Sequence, residues 1–264
     1  MAYEKGLILI PARYDSHRLP GKALKKIAGK TMIRRTYERS VLSGMNAMVV
    51  TDDKRIVDEC FRYDIPVDII TEPCKTGTDR VARCAAKTTK ADWFINVQGD
   101  EPFANPNDIL KVADQMENGN HDEVVNGMSP ITNSTDFHNE TIPKVIAWDG
   151  FLKYMSRAPV PAPYGPTKEL WNRSAMQQVC IYGFFRHHLE KFLSRPKSVY
   201  EESEDIEILR FCEMNIPVRM LELEGSPIHV DTPEDLERAQ IIAKDYNSQK
   251  TRRFNMGRST TATG

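Results

Sequence analysis

LILIPARYDSHRLPGKALKKIAGK, residues 7–30, is the stretch from which the rest of the chain can be read. It opens with four apolar residues, stops at Pro11 and meets Arg13 at once. That run is too short for the apolar centre of a secretion signal. Bounded by proline, it reads as a strand buried on both faces, as in a parallel sheet. The rest is a polar loop rich in Arg, Lys, Gly and Pro. It is long for a strand-to-helix connection, and loops of that length are often functional.

Residues 31–43 carry Met32, Ile33, Tyr37 and Val41 at helical spacing. Strands are expected at 47–51, 67–71 and 93–97, alternating with helices at 55–63, 78–88 and 109–117. This βαβα alternation predicts a doubly wound parallel sheet with right-handed crossovers. Ligands in such sheets bind beyond the strands' carboxyl ends. The Arg-rich loop and Gln98-Gly99-Asp100-Glu101-Pro102 both follow strands, so they are expected to face one crevice.

Past about residue 119 the alternation loosens. Asp149-Gly150 signals a hairpin between strands at 144–148 and 151–155. A Pro-rich loop at 158–166, a strand at 178–184, a helix at 203–214 and a strand at 218–223 follow. A last helix is expected at 233–247, with Thr232 as N-cap, Pro233 at its first position and Asp235 at its third. Residues 249–264 lack periodicity and read as a mobile tail, leaving one domain over 1–248.

Bulk properties agree with a globular α/β protein. The 264 residues are 40% hydrophobic and 28% charged, with a net charge of -1. No overall basic field points to nucleic acid or anionic membrane. No window of about 18 apolar residues predicts membrane insertion. The five cysteines (Cys60, Cys74, Cys84, Cys180, Cys212) are widely spaced with no CxxC pair. Their spacing suggests neither a disulfide framework nor a zinc site, and they read as free thiols of a reducing cytoplasm. The six histidines are scattered, without an HExxH or triad-like grouping.

Four groups of residues could carry chemistry. Arg13, Arg18 and Lys22 surround Pro20-Gly21 and suit a polyphosphate, with arginine offering a fork and lysine a point charge. The same cations would equally make a solvated basic loop. The loop is neither a Walker A sequence nor GxGxxG. Asp100 stands where a carboxylate can hold Mg²⁺ against a triphosphate, or can simply cap a turn. Asp231, in HVDTPEDLE, could join the same ion or serve as an acid at a helix start. Glu207 and Arg210 stand three apart in SEDIEILRFCEM, neighbours on one helical face or a surface ion pair.

Read together, IPARYDSHRLPGK, TDDKRI, TGTDRVAR, INVQGDEPF, PKVI, YMSRAPVP, SEDIEILR and VDTPEDLE run in the order found in the CMP-Kdo synthetases, the 3-deoxy-manno-octulosonate cytidylyltransferases. The chain resembles that family through about residue 245. The resemblance implies a Rossmann-like nucleotide-diphospho-sugar transferase fold with a mostly parallel central sheet. It also implies a sugar-binding and dimerisation subregion at about 130–215, and a homodimer. The implied reaction is transfer of CMP from CTP to the anomeric hydroxyl of an acidic 2-keto sugar of the Kdo type. Pyrophosphate would leave, with Mg²⁺ as cofactor, in a cytoplasmic step of lipopolysaccharide biosynthesis.

Carried onto this sequence, Arg13, Arg18, Lys22, Thr78, Arg80 and Asp100 match the nucleotide side. Asp100 and Asp231 match the Mg²⁺ ligands, and with Arg13 and Lys22 they make the implied catalytic set. Gln98, Arg157, Gln178, Tyr182 and Glu207 fall around the sugar acid, and Lys144 matches a basic position of the central motif. The chain also departs from the pattern. Gln177-Gln178-Val179-Cys180 stands where the family commonly has Lys-His-Leu-Gly, and Phe184 replaces an aromatic hydroxyl. His229 stands where a glycine precedes the last Val-Asp. These changes fall on the sugar side, so an 8-amino-Kdo or nonulosonate acceptor, or a silent nucleotide-binding paralogue, are the alternatives.

Overall fold

The computed structural model describes residues 3–162, 164 and 170–244. In chain order its elements are β1 (Gly6–Ala12), β2 (Lys26–Ile27), β3 (Lys30–Thr31), α1 (Met32–Val41), β4 (Ala47–Thr51), α2 (Lys54–Arg62) and β5 (Val67–Ile69). Then come α3 (Gly77–Lys87), β6 (Trp93–Val97), α4 (Pro106–Asn118), β7 (Val124–Pro130), α5 (Ser134–His138), β8 (Lys144–Trp148) and β9 (Phe151–Ser156). β10 (Met176–Phe185), α6 (Arg186–Leu193), α7 (Val199–Glu204), α8 (Leu209–Glu213) and β11 (Val218–Glu222) follow. A last helix, α9, occupies 233–244. The expected tail at 249–264 and the last residues of the expected final helix lie outside the described residues.

Nine strands form one sheet in the order β5-β4-β1-β6-β10-β7-β11-β9-β8, and β8 also pairs with β10. The first four are parallel, as the βα alternation predicts. Beyond β6 the sheet changes character, because β10 runs antiparallel to both β6 and β7. Helices cover both faces. Ile33 of α1, Ile56 of α2 and Ile109 of α4 pack with Ile8 and Ile10 on one side. Val81 of α3, Leu189 of α6 and Leu209 of α8 pack with Leu9 on the other. The alternation along β1 divides its side chains between the two layers. Full burial of each such side chain contributes about 1.5–3 kcal/mol.

β1 runs past its expected end, through Pro11 to Ala12. Ile8 N donates to Asn46 O, so alternate residues turn their N–H toward β4 and Pro11 faces β6. The β1–β6 ladder ends at Leu9 opposite Asn96, and the missing N–H of Pro11 therefore leaves no ladder bond unmade. Among the described residues no helix is long and apolar enough to cross a membrane.

The helix expected at 203–214 is broken: α7 ends at Glu204, Asp205 takes a left-handed φ of 50°, and α8 starts at Leu209. β7, α5 and α6 were not anticipated. β7 contains Asn126, Gly127 and Ser129, poor strand formers that are held because β10 and β11 pair with both of its edges.

Candidate active site

The carboxyl ends of β1 and β6 open onto a cavity of about 610 Å³. Arg13, Arg18, Lys22, Arg80, Gln98, Asp100, Arg157, Gln178, Tyr182, Glu207 and Asp231 all line it. Thr78 does not. It is 1% exposed, and its N–H donates to Glu207 Oε2 at 2.8 Å. Lys144 is also buried outside the lining, donating to Asn139 O and Ile142 O at 2.8 and 2.7 Å. It ties down a loop that forms one wall.

At the floor, residues far apart in sequence meet. Lys22 Nζ lies 2.5 Å from Asp100 Oδ2 and 2.7 Å from Asp231 Oδ1. Arg18 Nη2 lies 2.8 Å from Asp231 Oδ2. Local backbone chemistry arranges this. Gly21 adopts φ 67° over the Tyr14 ring and turns the chain so that Lys22 enters the crevice. Gly99 packs against β1, where an added Cβ would sit 2.6 Å from Pro11 O, and this brings Asp100 next to the Arg-rich loop. Val230 N donates to Asp100 O at 3.2 Å, fixing the two aspartate segments together. Asp235 Oδ2 accepts from Asp231 N and Thr232 N, while Thr232 Oγ1 accepts from Asp235 N, closing the capping box at the start of α9.

His229 was met in the sequence only as a departure, yet it stands inside this cluster. Its Nε2 is 3.3 Å from Asp231 Oδ2 and 3.5 Å from Asp100 Oδ2, and its Nδ1 is 3.1 Å from Glu101 Oε1. Its spacing from Asp231, two residues apart in an extended segment, was the available signal, since such side chains share a face. Burial opposes charging His229, but Asp100, Asp231 and Glu101 outweigh it and hold the imidazole well above its ordinary pKa. Burial likewise opposes charge on Asp100, Asp231 and Lys22. The cations His229 and Lys22 nevertheless keep both carboxyls below their usual range, and the two aspartates raise Lys22. Asp100 Oδ1 is buried without a hydrogen-bond partner among the described residues. Two carboxylates with an unsatisfied oxygen are a donor set suited to a hard divalent cation.

The opposite wall differs from expectation. Glu207 does not pair with Arg210. Its carboxylate accepts from Gly77 N and Thr78 N at 3.0 and 2.8 Å, at the start of α3, while burial pushes its pKa up. Arg210 instead makes a buried bidentate pair with Glu201. The Arg157 guanidinium donates to the backbone carbonyls of Glu140, Glu204 and Asp205, so in this arrangement it ties the 140 loop to the end of α7 beside the cavity. Arg80 Nη2 donates to Asp52 Oδ2 at 2.6 Å. Arg13 is exposed at the cavity mouth. Gln178 Nε2 donates to Asn126 Oδ1 at 2.9 Å, which fixes that amide's orientation at the wall. Burial, Cys180 and Glu207 raise the Tyr182 hydroxyl well above its ordinary pKa, so it stays protonated.

The cytidylyltransferase family pattern matches residues 7–221. The 3-deoxy-manno-octulosonate cytidylyltransferase of Christiangramia forsetii is 35% identical over 89% of this chain and 95% of its own length. That of Flavobacterium johnsoniae is 34% identical over 91% of this chain and 99% of its own length. Among solved structures, a CMP:2-keto-3-deoxy-manno-octonic acid synthetase complexed with CTP superposes with a TM-score of 0.83 at 31% identity, covering 92% of this chain and 99% of that one. A 4-diphosphocytidyl-2C-methyl-D-erythritol synthase from Anaerococcus prevotii shares the fold, with a TM-score of 0.60 at 15% identity over 90% of this chain and 98% of that one.

Proposed function

The chain belongs to the 3-deoxy-manno-octulosonate cytidylyltransferase family, and from that premise we propose that it transfers CMP from CTP to the anomeric hydroxyl of a Kdo-type sugar acid, releasing pyrophosphate. The observation that carries this reading is the meeting of Arg18, Lys22, Asp100 and Asp231 on one cavity floor. Such a site concentrates fixed cations for phosphate oxygens beside carboxylates that suit a divalent ion.

Little covalent chemistry falls to the protein in such a transfer, and positioning with charge neutralisation dominates. Arg13, Arg18 and Lys22 hold the triphosphate and the departing pyrophosphate. Arg80, anchored by Asp52, adds positive charge to the nucleotide side. Asp100 and Asp231 would hold Mg²⁺, a role supported by the unpartnered Asp100 Oδ1. When bound, the ion neutralises phosphate charge and lowers the pKa of the attacking hydroxyl. Gln98, Gln178 and Tyr182 orient the acceptor from the sugar wall, with Glu207 setting the position of the α3 start. We extend the proposal to a homodimer, a reading supported by the exposed Val199 and Tyr200, at 75% and 55%.

The test is pyrophosphate release from CTP and Mg²⁺ with Kdo, 8-amino-Kdo, N-acetylneuraminate or no acceptor. Acceptor-dependent release with Kdo supports the proposal. Release with another acid alone would move the acceptor assignment and keep the reaction. No release with any acid would leave the silent-paralogue reading standing.

A further inference from the structure

Cys180 and His229 lie 49 positions apart in the sequence. In this chain the two side chains meet. The Cys180 Sγ, a Glu101 carboxylate oxygen and a His229 ring nitrogen lie within 4.8 Å of one another. They come from β10, from the loop after β6 and from the segment before α9, and all three line the cavity.

Glu101 is 6% exposed, and its Oε2 is buried with no hydrogen-bond partner among the described residues. An unsatisfied buried carboxylate oxygen costs free energy unless something binds it. Its other oxygen already faces His229 Nδ1 at 3.1 Å. Meanwhile His229 Nε2 faces Asp231 Oδ2 at 3.3 Å. A metal-ligating histidine characteristically gives its second ring N–H to a carboxylate, which fixes the tautomer and the ring orientation. Here that partner is in place.

We propose that Glu101, Cys180 and His229 form a second cation site, adjoining the Asp100–Asp231 pair that His229 also contacts, and selective for Zn²⁺ or a similar borderline-soft divalent ion. Thiolate and imidazole favour zinc over magnesium, which prefers an all-oxygen shell. On binding, the thiol proton and any proton on Nδ1 leave to solvent, while Nε2 keeps its proton and donates it to Asp231. Three protein ligands leave a fourth position open to the cavity for a water or a substrate oxygen, as in zinc sites that are not purely structural. The spacing of cysteines along the chain gave no hint of this site, since its ligands are brought together only by the sheet.

The site can be tested without CTP or sugar, so the outcome does not depend on the proposed reaction. Metal-free protein is titrated with Co²⁺ in excess Mg²⁺, following the thiolate-to-cobalt charge-transfer absorption. One equivalent should develop the band. Cys180→Ser and His229→Gly should abolish it and lower zinc affinity at least about tenfold. Cys74→Ser, which changes the other cysteine of the cavity lining, should retain it. Absence of the band in the unaltered protein, its survival in Cys180→Ser, or its displacement by Mg²⁺ would overturn the proposal. X-ray absorption at the zinc edge of the unaltered, zinc-loaded protein gives a check that needs no variant. One sulfur with nitrogen and oxygen neighbours supports the site, and an all-light-atom shell overturns it.

Discussion

Lys22 Nζ and Asp231 Oδ1 are 2.7 Å apart although 209 residues separate them in the chain. Taken singly, each residue also has a bland reading in the sequence. One is a lysine in a basic loop, the other an acid before a helix. Their contact turns two weak readings into one site, because the same ammonium also reaches Asp100 at 2.5 Å and so gathers both carboxylates at one point.

Asp100→Asn should abolish most turnover while the protein stays folded. The amide keeps the side chain's size but removes the charge that a divalent ion and Lys22 require. A loss of about 100-fold or more in acceptor-dependent pyrophosphate release is expected, the scale seen when one electrostatic contact to the transition state is removed. Thermal melting should show that the fold survives. Turnover equal to that of the unaltered enzyme would remove Asp100 from the metal and catalytic roles.

Arg18→Ala should act chiefly on CTP. Arg18 is half-exposed and reaches Asp231 from the cavity mouth, so its loss leaves the core intact. A charge-assisted contact to phosphate is worth enough to raise the KM for CTP about tenfold. Initial rates across a CTP series at saturating acceptor measure this, and an unchanged KM would argue that the phosphates lie elsewhere.

The Arg210–Glu201 pair is a stability device behind the site. Arg210 is 2% exposed and Glu201 0%, and two hydrogen bonds of 2.6 Å join them. The guanidinium also stacks over Phe192 at 3.6 Å. Glu201→Gln removes the bidentate counter-charge and leaves the buried guanidinium only Asp79, at 3.4 Å, which should cost about 3 kcal/mol in denaturant unfolding. The double variant Glu201→Gln, Arg210→Met should lose less than the single one, since it removes both charges.

Stability should fall as pH drops below about 6.5, and His188 should account for much of that fall. Burial, then the neighbouring His187, lower its pKa from 6.5 to about 4. A histidine held neutral in the fold but charged in the unfolded chain makes the unfolded state bind more protons between those values. Its contribution is therefore complete above pH 6.5 and is lost as pH falls toward 4, at about 1.4 kcal/mol per unit. His188→Asn, whose amide oxygen can still accept from Phe185 N, should flatten the melting temperature between pH 7 and 4.5. An equally steep decline in that variant would assign the effect to other groups.

Local signals were enough for the first half of the fold. Apolar runs bounded by turn residues placed β4 and β6 to the residue, and the helix-start pattern at Thr232 and Asp235 matches the observed capping box. These features depend on neighbours a few residues away, which is the range over which hydrophobic period and backbone capping act. The ordered motifs also singled out Arg18, Lys22, Asp100 and Asp231, which the fold brings together on one cavity floor. What needed the tertiary structure were relations between distant segments. β7 is a strand because β10 and β11 satisfy its edges, against the preference of its own residues. Glu207 faces α3 and not Arg210, because Asp205 breaks the helix that would have made them neighbours. The company of His229, with Glu101 and Cys180 on one side and the aspartates on the other, arises only where β6, β10 and the segment before α9 converge. Periodicity carries no record of such meetings, since burial and long-range pairing set them once the whole sheet has formed.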